Sequence, residues 1–316
     1  MKRFSFLLLL SVGLFAASIF LNACQKEVGQ EAAQSVQGVS PVTDRAANHI
    51  TYGVTLFDGV NPCEIIGLDQ GSGNVISATT AFYIDPVLGN VQLDNLKGIC
   101  LTSWGQYFLT TGSPANILIG PGALDNSLFK VNPITGQCSL SSTNPNGNTV
   151  SDLEHDPSGA LNFYGLSNNS NAIIEISDNG NNYGTYSAPA AILGIAPGYV
   201  LKGLSLVRDG VNGMYLVGCA TGKPGLPAKL YTVPALGGIA TFMTDLDPLF
   251  DLTGGHCAIG FDLDLNNLLV NRTNVVTFTG PGLNDFPWNP PFGATTNTAF
   301  WGGGEYLYED LTSSVY

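Results

Sequence analysis

Gly203-Leu204-Ser205-Leu206, followed after an Arg208-Asp209-Gly210 turn by Met214-Tyr215-Leu216-Val217, is the stretch that decides the fold. Two short apolar runs around an acidic, glycine-containing turn read as antiparallel strands. The same pattern recurs at Gly98-Ile99-Cys100-Leu101 with Tyr107-Phe108-Leu109, at Asp152-Leu153-Glu154-His155 with Leu161-Asn162-Phe163-Tyr164, and at Ala258-Ile259-Gly260-Phe261 with Leu268-Leu269-Val270. Successive starts lie 54, 51 and 55 residues apart. A second motif sits between these copies: Ile65-Ile66-Gly67-Leu68-Asp69, Leu128-Phe129-Lys130-Val131-Asn132-Pro133, Ile173-Ile174-Glu175-Ile176-Ser177 and Leu230-Tyr231-Thr232-Val233-Pro234, each followed by a glycine-containing turn. Together they make a meander of four strands. One such sheet buries neither face alone, so the sheets must stack.

Four short strands repeating every 40 to 55 residues or so are the blade of a β-propeller. The body, residues 51–316, predicts an all-β propeller of five blades at the observed spacing, or six at ordinary blade size. The first blade lacks an opening strand, which Thr298-Ala299-Phe300-Trp301 to Tyr306-Leu307-Tyr308 is expected to supply. An antiparallel sandwich or stalk of β-repeats is the competing architecture. The turn Asn132-Pro133-Ile134-Thr135-Gly136 resembles the strand, D-P-x-T-G turn, strand repeat of TolB-like bacterial propellers, a likeness that extends over most of residues 51–270.

Composition narrows the classes of function. Of 316 residues 39 are Gly and 18 Pro, only 11% are charged, and the net charge is -13. No Lys/Arg-rich run exists to neutralise phosphates, which argues against a nucleic-acid partner. At the N-terminus Met1-Lys2-Arg3 precedes an apolar run, Phe4 to Phe20, too short for a typical membrane span. Leu21-Asn22-Ala23-Cys24 then resembles the lipobox of bacterial lipoproteins, with Asn22 departing from the usual small residue. The resemblance implies a signal peptide at 1–23, lipidation of Cys24, and a mature chain of 293 residues and net charge -15. Gln25 rather than Asp after the cysteine implies the outer membrane, on either its periplasmic face or the cell surface, with the lipid as the sole membrane contact. Residues 25–50 hold no aromatics and few large apolar side chains, and predict a flexible tether spanning about 30 Å. The segment 24–50 thus joins the anchor to the 51–316 body.

Candidate chemistry is scattered. Cys63, Cys100, Cys138, Cys219 and Cys257 show no C-x-x-C spacing and allow at most two disulfides, a Cys219–Cys257 bridge between neighbouring blades among them. His155 stands between Glu154 and Asp156, but strand alternation sends it to the opposite face, and strand-end polarity accounts for all three. His256, after Gly254-Gly255, is placed where the central channel opens. Asp262-Leu263-Asp264-Leu265-Asn266-Asn267 alternates oxygen side chains but lacks the Gly and Glu of an EF-hand, since Thr273 falls at the twelfth position. It reads as a β-turn, with room for a looser Ca2+ or other divalent-cation site on Asp262 and Asp264. The segment 280–293 carries Phe286, Trp288 and Phe292 among four prolines. Aromatic rings on a stiff loop offer contact area to a sugar face or a protein.

No G-x-S-x-G, H-E-x-x-H, P-loop or G-x-G-x-x-G occurs. The reading that follows is a lipid-anchored, non-enzymatic propeller that binds or scaffolds a protein or glycan. Two alternatives stand beside it. One is a hydrolase or lyase with a metal-assisted site in the central channel, which requires ionisable side chains converging there. The other is a structural subunit of an envelope assembly.

Overall fold

The structure, a computed structural model, describes residues 50–312 apart from 58, 71, 157–161, 169, 179–182, 210–212, 223–225, 247–257, 263–265, 273–281, 289–298 and 303–307. The described residues form strands and turns only. The first sheet holds β1 (Ile50–Thr55), β2 (Glu64–Asp69) and β3 (Val75–Asp85), with β4 (Gly89–Leu93) folded back on β3. The second holds β5 (Leu96–Leu101), β6 (Tyr107–Thr111), β7 (Ser127–Val131) and β8 (Gln137–Thr143). The third holds β9 (Val150–Asp156), β10 (Asn162–Ser167), β11 (Ala172–Asp178), β12 (Tyr183–Tyr186) and β13 (Ala190–Leu193). The fourth is β14 (Val200–Asp209), β15 (Gly213–Thr221), β16 (Lys229–Val233) and β18 (Thr241–Asp245), with the two-residue β17 (Gly238–Ile239) pairing β13. The fifth is β19 (Ile259–Asp262), β20 (Asn267–Arg272), β21 (Gly282–Pro287) and β22 (Ala299–Gly302). The last strand, β23 (Tyr308–Leu311), returns to pair β1 and completes the first sheet.

The described strands make a β-propeller of five blades. The strands β23, β5, β9, β14 and β19 touch one another in that order and then close back from β19 to β23, so they line the axis. Neighbouring blades are joined at their rims by parallel pairs, Phe82↔Gln137 and Tyr83↔Cys138 between the first and second, and Ile192↔Gly238 and Leu193↔Ile239 between the third and fourth. The expected closure is right in kind and shifted in place. Ala299–Gly302 is the outer strand of the fifth blade, and Tyr308–Leu311 supplies the opening strand.

Burial follows from this geometry. An inner strand is covered on both faces, and β9 is buried throughout except at its last residue, whereas the outer β3 alternates more and less open positions. The apolar clusters lie between sheets: Tyr52, Val54, Ile65, Ile99 and Phe129 between the first and second; Cys100, Phe108, Leu153, Phe163 and Ile174 between the second and third; Ile66, Leu68, Leu269, Tyr308 and Leu311 between the fifth and first. A larger cluster joins the third, fourth and fifth. Each such side chain contributes about 1.5–3 kcal/mol on burial, so stacking and not single sheets holds the ring.

Two glycines fix close approaches. A Cβ on Gly136, whose φ is +74, would lie 2.0 Å from the carbonyl oxygen of Thr80, so the Asn132–Gly136 turn can nest against β3 only with glycine there. Asn132 Oδ1 caps that turn by accepting from the N–H groups of Ile134 and Thr135. A Cβ on Gly98 would meet Leu153 Cβ and its N at 2.9 Å, so the missing side chain of blade two makes room for the leucine of blade three.

Cys63, Cys100 and Cys138 are buried free thiols, so three of the five cysteines of the body take no part in the disulfides that the sequence allows. Burial pushes the thiols of Cys63 and Cys138 up to about 12 and that of Cys100 well above its usual range, so all three are unreactive small apolar groups. Cys219 is disulfide-bonded, and its expected partner Cys257 lies outside the described residues.

Candidate active site on the propeller axis

Four of the innermost strands make the same irregular step. β5 pairs β6 at Leu96 and Gly98, β14 pairs β15 at Leu201 and Gly203, and β23 pairs β1 at Tyr308 and Asp310, so Lys97, Lys202 and Glu309 are each passed over as bulge residues. In β9 the register shifts between Ser151 and Glu154, and Asp152 takes the left-handed conformation at φ 52. A bulge re-aims the side chain it carries. Each passed-over residue is charged, and around the axis the sign alternates: Glu309, Lys97, Asp152, Lys202. The register also aligns Lys97, not Gly98, with Asp152, one residue away from the alignment of the sequence repeat.

These groups meet. Lys97 Nζ lies 2.9 Å from Glu309 Oε1, with 13% and 8% of the two side chains exposed. Asp152, 2% exposed, feels the charges of Glu309, Lys202 and Lys97. Its Oδ1 is buried with no hydrogen-bond partner among the described residues. Beside it Asp310, fully buried, accepts from the N–H of Ile99 at 2.7 Å and of Leu153 at 3.0 Å through Oδ2, and from the N–H of Leu311 at 2.9 Å through Oδ1. One carboxyl of the closing strand thereby ties blades two and three to blade one.

Burial, then the neighbouring Glu309, raises the Asp152 carboxyl well above its usual range; burial, then Asp152 and Glu154, does the same to Asp310. Two buried carboxyls that feel each other's charge cannot both ionise cheaply. Asp310 accepts three N–H groups, an arrangement that favours its anion, whereas Asp152 Oδ1 has no such donor among the described residues, so of the two Asp152 holds a proton the more readily. The axis therefore sets a carboxyl that is hard to ionise close to a carboxylate paired with an ammonium.

The residues singled out from sequence lie elsewhere. Trp288 is 1% exposed, its Nε1 donating to Tyr215 Oη at 3.2 Å and its ring centroid 6.0 Å from that of Phe261. It is a core residue between the fourth and fifth blades, and not a contact surface. Phe286 is a strand residue of β21 paired with Leu268, which corrects its placement on a loop. Asp262 ends β19 opposite Asn267, and Asn266, at φ 52, supplies the left-handed turn residue. Asp264, His256, Phe292 and Cys24 lie outside the described residues. Among the described residues no three His, Cys, Asp or Glu side chains are grouped to hold a metal ion. His155 is buried against Trp104 and Phe163, at ring centroid distances of 4.7 and 5.3 Å, and is not a polar strand end.

Sequence reasoning missed the two lysines and the closing-strand acids. The available signal was Leu96-Lys97-Gly98-Ile99-Cys100-Leu101 against Leu201-Lys202-Gly203-Leu204-Ser205-Leu206, a lysine recurring at one step of an otherwise apolar strand in a chain with only 11 Lys and Arg.

No family model and no curated protein matches the chain. Some solved structures are similar to the chain at low identity. An endo-arabinase from Bacteroides thetaiotaomicron is 13% identical, with a TM-score of 0.46, over 82% of this chain and 89% of that one. The periplasmic gluconolactonase of Pseudomonas aeruginosa is 12% identical, with a TM-score of 0.39, over 83% and 98%. A 6-phosphogluconolactonase homologue from Bacteroides uniformis is 12% identical, with a TM-score of 0.39, over 78% and 80%. The expectation of a non-enzymatic binding module is corrected by the axis itself, where Lys97, Asp152, Lys202 and Glu309 converge, the arrangement that the hydrolase or lyase alternative requires.

Proposed function

We propose that the chain is a hydrolase or lyase working by proton transfer at the end of the axis where the inner strands begin. The observation that carries the reading is the alternation of charge on the four bulge residues, Glu309, Lys97, Asp152 and Lys202. Asp152 is the general acid. Glu309, paired with the Lys97 ammonium, is the general base.

In hydrolysis, Glu309 takes a proton from water as its oxygen attacks, the bond to the leaving oxygen breaks, and Asp152 gives that oxygen its proton. In elimination, Glu309 takes a carbon-bound proton, the carbon–oxygen bond breaks as a double bond forms, and Asp152 again protonates the leaving oxygen. Exchange with solvent restores both groups. Lys202 offsets the negative charge that develops in either path. The lipobox resemblance and the 24–50 tether support the reading that this activity is carried on a lipid anchor at the outer membrane.

The test is a panel of lactones, aryl glycosides and uronate oligosaccharides, read by chromophore release, acid production or unsaturated-product absorbance. Turnover of one class is expected, reduced about 10²–10⁴-fold in Asp152→Asn and in Glu309→Gln. No turnover anywhere, or turnover indifferent to both substitutions, would overturn the reading.

A further inference from the structure

An open cleft of about 490 Å³ lies between the first and second blades, within the size range of small-molecule sites. Ile50, Val131, Pro133 and Ile134 give it apolar walls, and Tyr52, Tyr107, Gln106 and Lys130 bring polar groups to the same space. Lys97 stands near the start of β5, whereas Gly105 to Tyr107 follow its end, so the cleft lies at the far end of the blade from the axial carboxyls.

The polar groups are available. Neither tyrosine hydroxyl, the Gln106 carboxamide nor the Lys130 ammonium has a hydrogen-bond or ion-pair partner among the described residues. Lys130 is exposed on β7, between buried Phe129 and Val131. The Tyr52 and Tyr107 rings meet edge to face at 5.0 Å; Tyr52 is buried and Tyr107 half-buried, and both line the cleft. Burial, then the Tyr52 hydroxyl nearby, pushes Tyr107 up to about 12, so the phenol stays a neutral donor. Gly105, at φ +78 with nothing within 4 Å of its Cβ position, leaves the rim open.

We propose that this cleft binds a sugar ring carrying a carboxylate, the chemistry of a uronic acid. The half-buried Tyr107 ring covers the sugar's C–H face, the phenol hydroxyls and Gln106 bond its hydroxyls, and Lys130 takes its carboxylate. In a chain of net charge -13, an ammonium with no acidic partner among the described residues marks where an anion is welcome. The inference stands apart from the axial reaction and does not rest on it.

The test uses the full chain, titrated by calorimetry or ligand-observed NMR with D-galacturonate, its linear trimer and D-galactose. Galacturonate is expected to bind about 10-fold more tightly than galactose, as one charge-assisted hydrogen bond provides. Lys130→Met, on an exposed side chain, removes that difference and leaves galactose unchanged. Tyr107→Phe weakens both sugars a few-fold. Asp152→Asn leaves binding unaltered, which separates this site from the axial one. A trimer binding more tightly than the monomer identifies an acidic polysaccharide as the source, and one binding less tightly a free sugar acid; both sustain the proposal. No saturable binding, equal affinity for the acid and the neutral sugar, or a Lys130→Met chain that still prefers the acid would overturn it.

Discussion

The inner strands of blades two and three, β5 and β9, occupy the same place in the propeller and carry opposite chemistry. At the bulge one has Lys97 and the other Asp152; next to it one has Gly98 and the other Leu153; two positions further on stand Cys100 and His155. The backbone step is common, so the repeat dictates where a side chain points and not which one is there. Glycine against leucine is a packing exchange, each position sized by its neighbour across the blade interface. Lysine against aspartate is an electrostatic one, since like charges at successive bulges would repel in a site with little water to screen them.

The hardest break to that pairing removes the group that holds both strands. Asp310→Ala leaves the N–H groups of Ile99 and Leu153, and that of Leu311, without their acceptor. At about 1–3 kcal/mol for each buried unsatisfied group the loss is expected to be about 5 kcal/mol, and urea denaturation followed by tyrosine and tryptophan fluorescence reads it.

The packing exchange is tested by a double-mutant cycle. Leu153→Ala alone should cost about 3 kcal/mol through the cavity it leaves, and Gly98→Ala alone about 2 kcal/mol through overpacking. Leu153→Ala keeps the Cβ and N that a methyl at Gly98 would strike, so it does not relieve that clash and the pair should cost the sum of the two within about 0.5 kcal/mol. A pair costing at least about 1 kcal/mol less than the sum would break the comparison.

The electrostatic exchange predicts a pH dependence. Asp152 binds its proton more tightly in the folded than in the unfolded chain, so its contribution to stability is complete at acid pH and is lost as pH rises from the ordinary carboxyl range toward the raised folded value. Asp152→Asn, which cannot ionise, should flatten that decline and raise the urea midpoint at about pH 8. A mutant less stable than wild type there would mean that the ionised carboxylate is held by its lysine neighbours.

The smallest effect is expected at His155. Burial lowers its imidazole to about 4, so stability is complete above the ordinary histidine range and falls as pH drops from there through the folded value. His155→Phe keeps the aromatic contacts with Trp104 and Phe163 and should remove that loss alone. An imidazole titrating by NMR near its ordinary value of about 6.5 would show that the ring is open to water.

Much of the architecture is legible in the residues. Alternating apolar runs, a 51–55-residue period and glycine-marked turns require four-stranded sheets that stack, because each sheet has two faces to bury and only its neighbours to bury them against. That the first blade needs a strand from the chain's end follows from the same count. Which strand closes it does not: Ala299–Gly302 and Tyr308–Leu311 are both short, and only pairing with β1 distinguishes them.

The axial site was hidden for a related reason. Lys97, Asp152, Lys202 and Glu309 lie up to 212 residues apart, and each read singly is an ordinary charge at a strand end. Local sequence determines the period, the turns and the alternation, since these depend on neighbours along the chain. The convergence of the charges, the burial of Trp288 and His155, and the raised carboxyl of Asp152 depend on neighbours across the ring. Those exist only once five blades have closed and water has left the axis.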